Sequence, residues 1–353
     1  MKKIKVLIVD DSALVRELFT RIINEESDME VVGTAMDPYY AVKMIKKYRP
    51  DVITLDVEMP RMNGLDFLKR IMSSHPMPVI MISSWTEANS QATIKALDLG
   101  AIDFIPKPKR SLKENLYSLK NELIQKIRAA SVSNVRNAYR NTSDNINDKL
   151  KNHTDTGKNL GLIKTTAKMI VIGASTGGTT AIRNIVTKAP ADATAMVVVQ
   201  HMPEKFTASF ADSLDKLSAV KVKEAENGEQ IIRGYVYIAP GNKHTLVYKS
   251  GAFYHLKITG GERVNNHMPS VDKTFFSVAD NVGQNATGII LTGMGNDGAQ
   301  GIKAMHEKGS FTVAQDEKSS VIFGMPKEAI ATGHIDKVMH IDQIAEFVKE
   351  FKS

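Results

Sequence analysis

The sequence predicts two α/β domains in tandem, each a doubly wound, mostly parallel sheet with helices on both faces. Three observations carry this. Short continuous apolar runs such as Val6-Leu7-Ile8-Val9, Ile170-Val171-Ile172, Val197-Val198-Val199 and Ile289-Ile290-Leu291 read as parallel strands buried on both faces. Helical periodicity follows the strands in alternation. A polar stretch without period separates two such series, and 353 residues suffice for two domains.

In the first series, Val6–Val9 ends in Asp10-Asp11-Ser12, and a helix follows with Leu14, Val15, Leu18 and Ile22 on one side. Val31-Val32 predicts a short second strand. Asp37-Pro38 reads as a cap with proline in the first turn, opening a helix through Tyr48. Asp51–Asp56 predicts the third strand, Val79–Ser84 the fourth and Ala101–Ile105 the fifth, the last running into Pro106-Lys107-Pro108. A helix from near Ser111 to Arg128 closes the domain.

Ligands of a doubly wound sheet sit beyond the carboxyl ends of its strands. Asp10, Asp11, Asp56, Ser83 and Lys107 all fall there. Three carboxylates at one rim repel one another unless a hard cation joins them, and Mg²⁺ takes such oxygen ligands. A carboxylate beside Mg²⁺ and an ammonium can attack phosphorus. Asp56 is then the nucleophile, Asp10 and Asp11 the further metal ligands, and Lys107 the partner of the phosphoryl oxygens. The competing reading is that each aspartate merely caps the next helix. The five-residue set at these spacings argues against it.

These residues resemble a response-regulator receiver domain: Asp-Asp after strand one, Asp-Val-Glu-Met-Pro-Arg-Met-Asn-Gly at 56–64, the Ser83 hydroxyl and Lys107-Pro108. The resemblance implies a flavodoxin-like (βα)5 fold and phosphorylation of Asp56 by a histidine kinase. It also implies a switch in which Ser83 and Phe104 reorient. Phe104 has no hydroxyl, so its ring makes no hydrogen bond as a tyrosine would.

Residues 1–128 are thus expected to form the receiver, 129–167 a flexible polar linker and 168–353 a second domain. Its first strand, Lys168–Gly173, and a helix, Thr179–Val186, enclose Gly173-Ala174-Ser175-Thr176-Gly177-Gly178. As a dinucleotide fingerprint this places serine where the second glycine belongs, and as a Walker loop it places Thr179 where lysine belongs. As Gly-x-Ser-x-Gly it matches fully, in the strand-turn-helix setting of a nucleophile elbow. A serine nucleophile needs a base, and the base an orienting carboxylate. His201 ends the strand containing Val197–Val199, and Asp297 lies in the glycine-rich turn after Ile289–Leu291. Ser175, His201 and Asp297 at three strand ends of one domain read as a triad. The chain order Ser–His–Asp differs from the Ser–Asp–His of α/β-hydrolases, so that fold is excluded. His244, His255, His267 and His306 show no metal-ligand spacing and read as structural or surface residues.

Gly-Ala-Ser-Thr-Gly-Gly, Gln-His-Met-Pro and Thr-Gly-Met-Gly-Asn-Asp-Gly together resemble the catalytic domain of the chemotaxis protein-glutamate methylesterase (CheB) family. Tyr237–Gly241, Pro269–Asp272 and Phe323–Pro326 add to the likeness. The resemblance implies Ser175 as nucleophile, His201 as base and Asp297 as orienter, with backbone N–H groups near Thr176 and Met294 as oxyanion hole. It implies hydrolysis of glutamyl methyl esters on methyl-accepting chemotaxis receptors, glutamine deamidation by the same route, and no cofactor for the esterase. The phosphodonor would be a chemotaxis histidine kinase. An unphosphorylated receiver is expected to pack on the catalytic rim and limit access.

The rest of the sequence excludes other classes. There is no cysteine, hence no disulfide, zinc–thiolate site or thiol catalysis, in keeping with a reducing compartment. The apolar start is too short for a signal peptide, and no segment reaches the ~18 apolar residues of a membrane span, so a cytoplasmic protein is expected. The net charge of +7 is spread along the chain without a stripe of stacking aromatics, which argues against a nucleic-acid partner. A transcription factor would need a helix-turn-helix output domain, whereas alternating strands and helices follow the linker.

Overall fold

The structure, a computed structural model, describes residues 3–84, 86–107, 116–133 and 168–351. The chain divides into two compact units, Met1–Thr142 and Ser143–Ser353. Most of the expected linker, residues 134–167, lies outside the described residues.

The first unit is a five-stranded parallel sheet of β1 (Ile4–Val9), β2 (Met29–Ala35), β3 (Val52–Asp56), β4 (Val79–Ser83) and β5 (Asp103–Pro106). The strand order is β2-β1-β3-β4-β5, so the chain reverses direction across the sheet between β1 and β3. Helices α1 (Ala13–Asn24), α2 (Pro38–Tyr48), α3 (Gly64–Ser74), α4 (Glu87–Asp98) and α5 (Leu116–Ser131) connect and flank the strands. The second strand is longer than Val31-Val32 because it pairs with β1 along its whole length, with one irregularity at Val6/Leu7. The last helix ends three residues beyond Arg128, at Ser131.

The caps settle how the strand-end aspartates are used. Helix α1 is capped by Ser12, which accepts from Val15 N, and α3 by Asn63, which accepts from Asp66 N. Neither Asp10, Asp11 nor Asp56 is spent on a helix end.

The second unit holds a seven-stranded, wholly parallel sheet of β6 (Met169–Ala174), β7 (Ala195–Gln200), β8 (Lys221–Glu224), β9 (Tyr235–Ile238), β12 (Ala286–Ile290), β13 (Phe311–Gln315) and β14 (Lys337–Met339). Its order is β14-β13-β12-β6-β7-β9-β8. Strands β10 (His244–Ser250) and β11 (Phe253–Thr259) form a separate antiparallel hairpin. Helices α6 (Gly178–Val186), α7 (Phe206–Asp215), α8 (Val271–Asn281), α9 (Ala299–Glu307), α10 (Met325–Ala331) and α11 (Ile341–Glu350) complete it. The central strands β6, β7 and β12 are buried throughout, as their unbroken apolar runs require. Chain direction across the sheet reverses at β6, flanked by β7 on one side and β12 on the other. The carboxyl ends of these three strands are therefore where a doubly wound fold places its chemistry.

Candidate functional sites

In the first unit the reversal point carries the acidic cluster. Asp10 follows β1 and Asp56 ends β3; both are buried, while Asp11 is exposed. One carboxylate oxygen from each of Asp10, Asp11 and Asp56 lies within 4.8 Å of the others. Lys107 Nζ donates to Asp56 Oδ2 at 2.7 Å and lies 3.3 Å from Asp10 Oδ2. That Asp10 oxygen is buried and accepts no hydrogen bond among the described residues. Burial, and then the neighbouring Asp10 charge, push the Asp56 carboxyl up to about 7 against the pull of Lys107. Burial raises Asp10 as well, again opposed by Lys107. One ammonium thus leaves a buried pair of carboxylates under-compensated. An oxygen-only donor set with a spare buried oxygen suits Mg²⁺.

Ser83 ends β4 at the same rim. Its hydroxyl accepts from Thr93 Oγ1 of α4 at 2.8 Å and lies 3.4 Å from the Asn89 carbonyl. Phe104 is buried in β5, with the Lys126 ammonium 5.2 Å from its ring centroid. Thr93 was not legible in the sequence, because nothing local marks a helix threonine that turns toward a strand-end serine.

In the second unit the three triad candidates stand at the carboxyl ends of neighbouring strands, and a direct side-chain contact joins two of them, His201 and Asp297. Ser175 follows β6, His201 follows β7 and Asp297 lies in the turn between β12 and α9. The elbow depends on Gly177, which has φ +78°, and a Cβ there would lie 2.5 Å from Val321 Cβ. Two further short bonds fix it: Gly178 N donates to the Ser175 carbonyl at 2.7 Å, and Ser175 N to the Thr292 carbonyl at 3.0 Å. Gln200 ties the two strand ends together, its Nε2 donating to the carbonyls of Ser175 (2.9 Å) and His201 (3.2 Å). This role is invisible in the sequence because it relies on Gly178, where a Cβ would meet Gln200 Oε1 at 2.2 Å.

His201 Nε2 and Asp297 Oδ2 are 2.8 Å apart, and both side chains are nearly buried. An ionised carboxylate only accepts, so Nε2 carries the proton and the neutral ring keeps its lone pair on Nδ1. That Nδ1 is buried without a hydrogen-bond partner among the described residues. Asp297 is held by more than the histidine. Ser270 Oγ (2.8 Å), Asn265 Nδ2 (3.0 Å) and Asp272 N (3.2 Å) donate to Oδ1, and Val271 N (2.7 Å) to Oδ2. The carboxylate thus sits on the N-terminus of α8, where free N–H groups and the helix dipole favour a negative charge. Burial alone would raise its pKa, but the bonds from His201, Asn265 and Val271 outweigh it and hold the carboxyl well below its ordinary value. Asp272 lies in the first turn of the same helix, and burial raises its carboxyl.

The residues expected to supply an oxyanion hole are Thr176 and Met294. Thr176 follows Ser175 and is buried. Gly293, immediately before Met294, packs so closely that a Cβ on it would lie 2.8 Å from Ser175 Cβ. His267, expected to be a structural or surface residue, is half-buried beside the triad candidates. Its ring stacks on His201, with centroids 3.7 Å apart and 9° between planes. Asn265, Ser270 and Asp272 carried no assigned role in the sequence either. Only the Pro269–Asp272 stretch signalled that this segment matters.

Comparisons with known proteins agree with this layout. Residues 170–348 match the CheB methylesterase family, and residues 6–117 match the response regulator receiver domain. The protein-glutamate methylesterase/protein-glutamine glutaminase of Salmonella typhimurium strain LT2 is 49% identical over 346 residues, covering 98% of this chain and 96% of that protein. The protein of the same description from Escherichia coli K12 shows the same identity and coverage. Among solved structures, the Thermotoga maritima CheB methylesterase catalytic domain is 38% identical with a TM-score of 0.51, covering 52% of this chain and 98% of that one.

Proposed function

This chain belongs to the CheB methylesterase family, with a response-regulator receiver domain ahead of the esterase domain, and we propose that phosphorylation of Asp56 switches on Ser175-dependent hydrolysis of glutamyl methyl esters on methyl-accepting chemotaxis receptors. It is a carboxylic ester hydrolase, a protein-glutamate methylesterase that also acts as a protein-glutamine glutaminase. The site assignments carry the sequence reading forward as proposals: Ser175, His201 and Asp297 are the catalytic triad, and residues 168–353 the catalytic domain. The observation that carries the mechanism is the 2.8 Å His201 Nε2–Asp297 Oδ2 contact, which leaves Nδ1 as the ring nitrogen able to accept a proton.

In this mechanism Nδ1 takes the Ser175 hydroxyl proton as Oγ attacks the ester carbonyl. The carbonyl oxygen becomes an oxyanion, held by backbone N–H groups near Thr176 and Met294. Asp297, kept ionised by its donors, balances the imidazolium that forms. Collapse of the tetrahedral adduct breaks the ester C–O bond, and His201 returns the proton to the departing methanol. Water, activated by the same nitrogen, then cleaves the acyl-enzyme and frees the glutamate carboxylate and Ser175. A glutamine side chain follows the same path with ammonia as leaving group.

In the receiver, Asp56 attacks the phosphorus of a phosphohistidine on a chemotaxis histidine kinase, and the histidine leaves as the O–P bond forms. Lys107 pairs with the transferred oxygens, and Ser83 and Phe104 are the switch positions. Asp10, Asp11 and Asp56 would hold Mg²⁺, which when bound neutralises charge on the phosphoryl group. The esterase step uses none of these residues and takes no cofactor.

No helix among the described residues is long and apolar enough to cross a membrane. A cytoplasmic protein acting on the cytoplasmic helices of its receptors fits that.

The test is release of methanol from methylated receptor membranes by the full chain, with and without a phosphodonor and Mg²⁺. Phosphodonor should raise the rate of the wild type and leave Asp56→Asn at the basal rate. Equal stimulation of Asp56→Asn would show that another residue is the switch.

A further inference from the structure

Outside the triad, backbone and side-chain hydrogen bonds tie down the segment from Glu262 to Ser270. Val264 N donates to the His267 carbonyl at 3.1 Å and His267 N to the Val264 carbonyl at 2.8 Å. The two residues between them, Asn265 and Asn266, have φ of 51° and 66°. Two central residues in the left-handed region mark a type I′ turn, and asparagine tolerates that region better than other side chains. The limbs of the turn are pinned as well. The backbone N–H of Ser270 donates to His244 Nδ1 at 3.3 Å, so Nδ1 holds the lone pair and Nε2 the proton, which goes to the Glu262 carbonyl at 2.9 Å. His244 is fully buried. Asn242 N donates to the Met268 carbonyl at 3.1 Å on the exit side.

This anchored turn delivers two side chains to the acid–base pair. Asn265 Nδ2 bridges Asp297 Oδ1 (3.0 Å) and Asp272 Oδ2 (2.8 Å). The His267 ring lies parallel to His201 at 3.7 Å. The bond to Asp297 fixes His201 at one nitrogen only, and rotation of the imidazole about that contact would swing Nδ1 away from the serine. A parallel ring at van der Waals distance removes that freedom.

We propose that the Val264–His267 turn is a positioning device for the catalytic base, with His267 setting the plane of the His201 ring and Asn265 fixing the Asp297 carboxylate. The proposal rests on the triad reading above. Neither residue exchanges a proton with substrate. What they supply is alignment of Nδ1, and misalignment of a reacting group lowers turnover more than affinity.

The test uses the full chain, phosphorylated, in the methanol-release assay, with Ser175→Ala in parallel. His267→Ala should lower kcat about tenfold with KM within about twofold, and His267→Phe, which keeps a planar ring and loses both nitrogens, should return kcat to within about threefold of wild type. Asn265→Gly, which keeps the positive φ and deletes the amide, should lower kcat about three- to tenfold with KM unchanged. It decides the matter if His267→Ala does not fold. A wild-type kcat for His267→Ala or Asn265→Gly overturns the proposal. So does His267→Phe being as slow as His267→Ala, because a ring nitrogen rather than the ring plane would then matter. A rise in KM that accounts for the whole loss would place the turn in substrate binding instead. Activity retained by Ser175→Ala would mark failure of the serine mechanism itself, a separate result from failure of the turn.

Discussion

Replacing Ser270 by alanine removes one hydroxyl that serves two structures at once. Its Oγ donates to Asp297 Oδ1 at 2.8 Å and accepts from Lys273 N at 3.4 Å as the cap of α8, and the residue is fully buried. A hydrogen bond to a charged acceptor contributes about 1.5–3 kcal/mol. The cap bond is long, so its loss costs nearer the low end, about 0.5–1 kcal/mol. The catalytic domain of Ser270→Ala should therefore lose about 2–4 kcal/mol. Three other donors besides His201 remain on the carboxylate, so the domain should still fold. Urea unfolding of the full chain measures this cleanly. The only tryptophan in the sequence is Trp85, in the receiver half, so its fluorescence follows the receiver while far-UV circular dichroism follows both halves. The sign of the pH dependence is also fixed. Asp297 is held below its unfolded value of 3.8, so its contribution is complete above that value and is lost as pH falls through the lowered one. With one donor gone the lowering is smaller, and Ser270→Ala should lose this stability at a higher pH than wild type. A change below about 0.5 kcal/mol, with an unmoved acid limb, would refute the claim that the α8 N-terminus cages Asp297.

Two further outcomes follow from the geometry. Asp56 must be ionised to hold Mg²⁺, and its carboxyl is pushed up to about 7; affinity measured by calorimetry should therefore weaken about tenfold from pH 8 to pH 6, while a flat profile would contradict the under-compensated acid cluster. In Gly241→Ala the new Cβ would meet the Glu204 backbone nitrogen at 2.2 Å, so the segment after His201 must shift, at a cost of about 1–3 kcal/mol in urea unfolding and with a fall in kcat; unchanged stability and turnover would show that this segment is free to move.

Much of the architecture was legible because parallel strands buried on both faces leave continuous apolar runs. Residues just past such runs share one rim by construction, which is why Asp10, Asp56, Lys107, Ser175, His201 and Asp297 could be placed in advance. The second strand is longer than its apolar pattern, since Gly33 and Thr34 interrupt that pattern although the backbone goes on pairing with β1. The supporting cast at the triad was not legible. Asn265 and His267 reach Asp297 and His201 across more than thirty and sixty residues of sequence, through a turn pinned by His244 on another strand. Such contacts depend on tertiary packing, and a histidine without metal-ligand spacing offers no local sign of the ring it will lie on. Gln200 and Thr93 escaped for the same reason.

If Ser175 is a nucleophile activated by His201 and Asp297, a serine-directed fluorophosphonate should label it, as peptide mass spectrometry would show. One adduct on Ser175 is expected in the full chain. It should be absent in Ser175→Ala, and in His201→Ala and Asp297→Asn it should form slower by roughly 10³-fold. Labelling of Ser175 at the wild-type rate in His201→Ala would rule out activation by His201, and no adduct on Ser175 in the phosphorylated protein while it releases methanol from receptors would rule out Ser175 as the nucleophile.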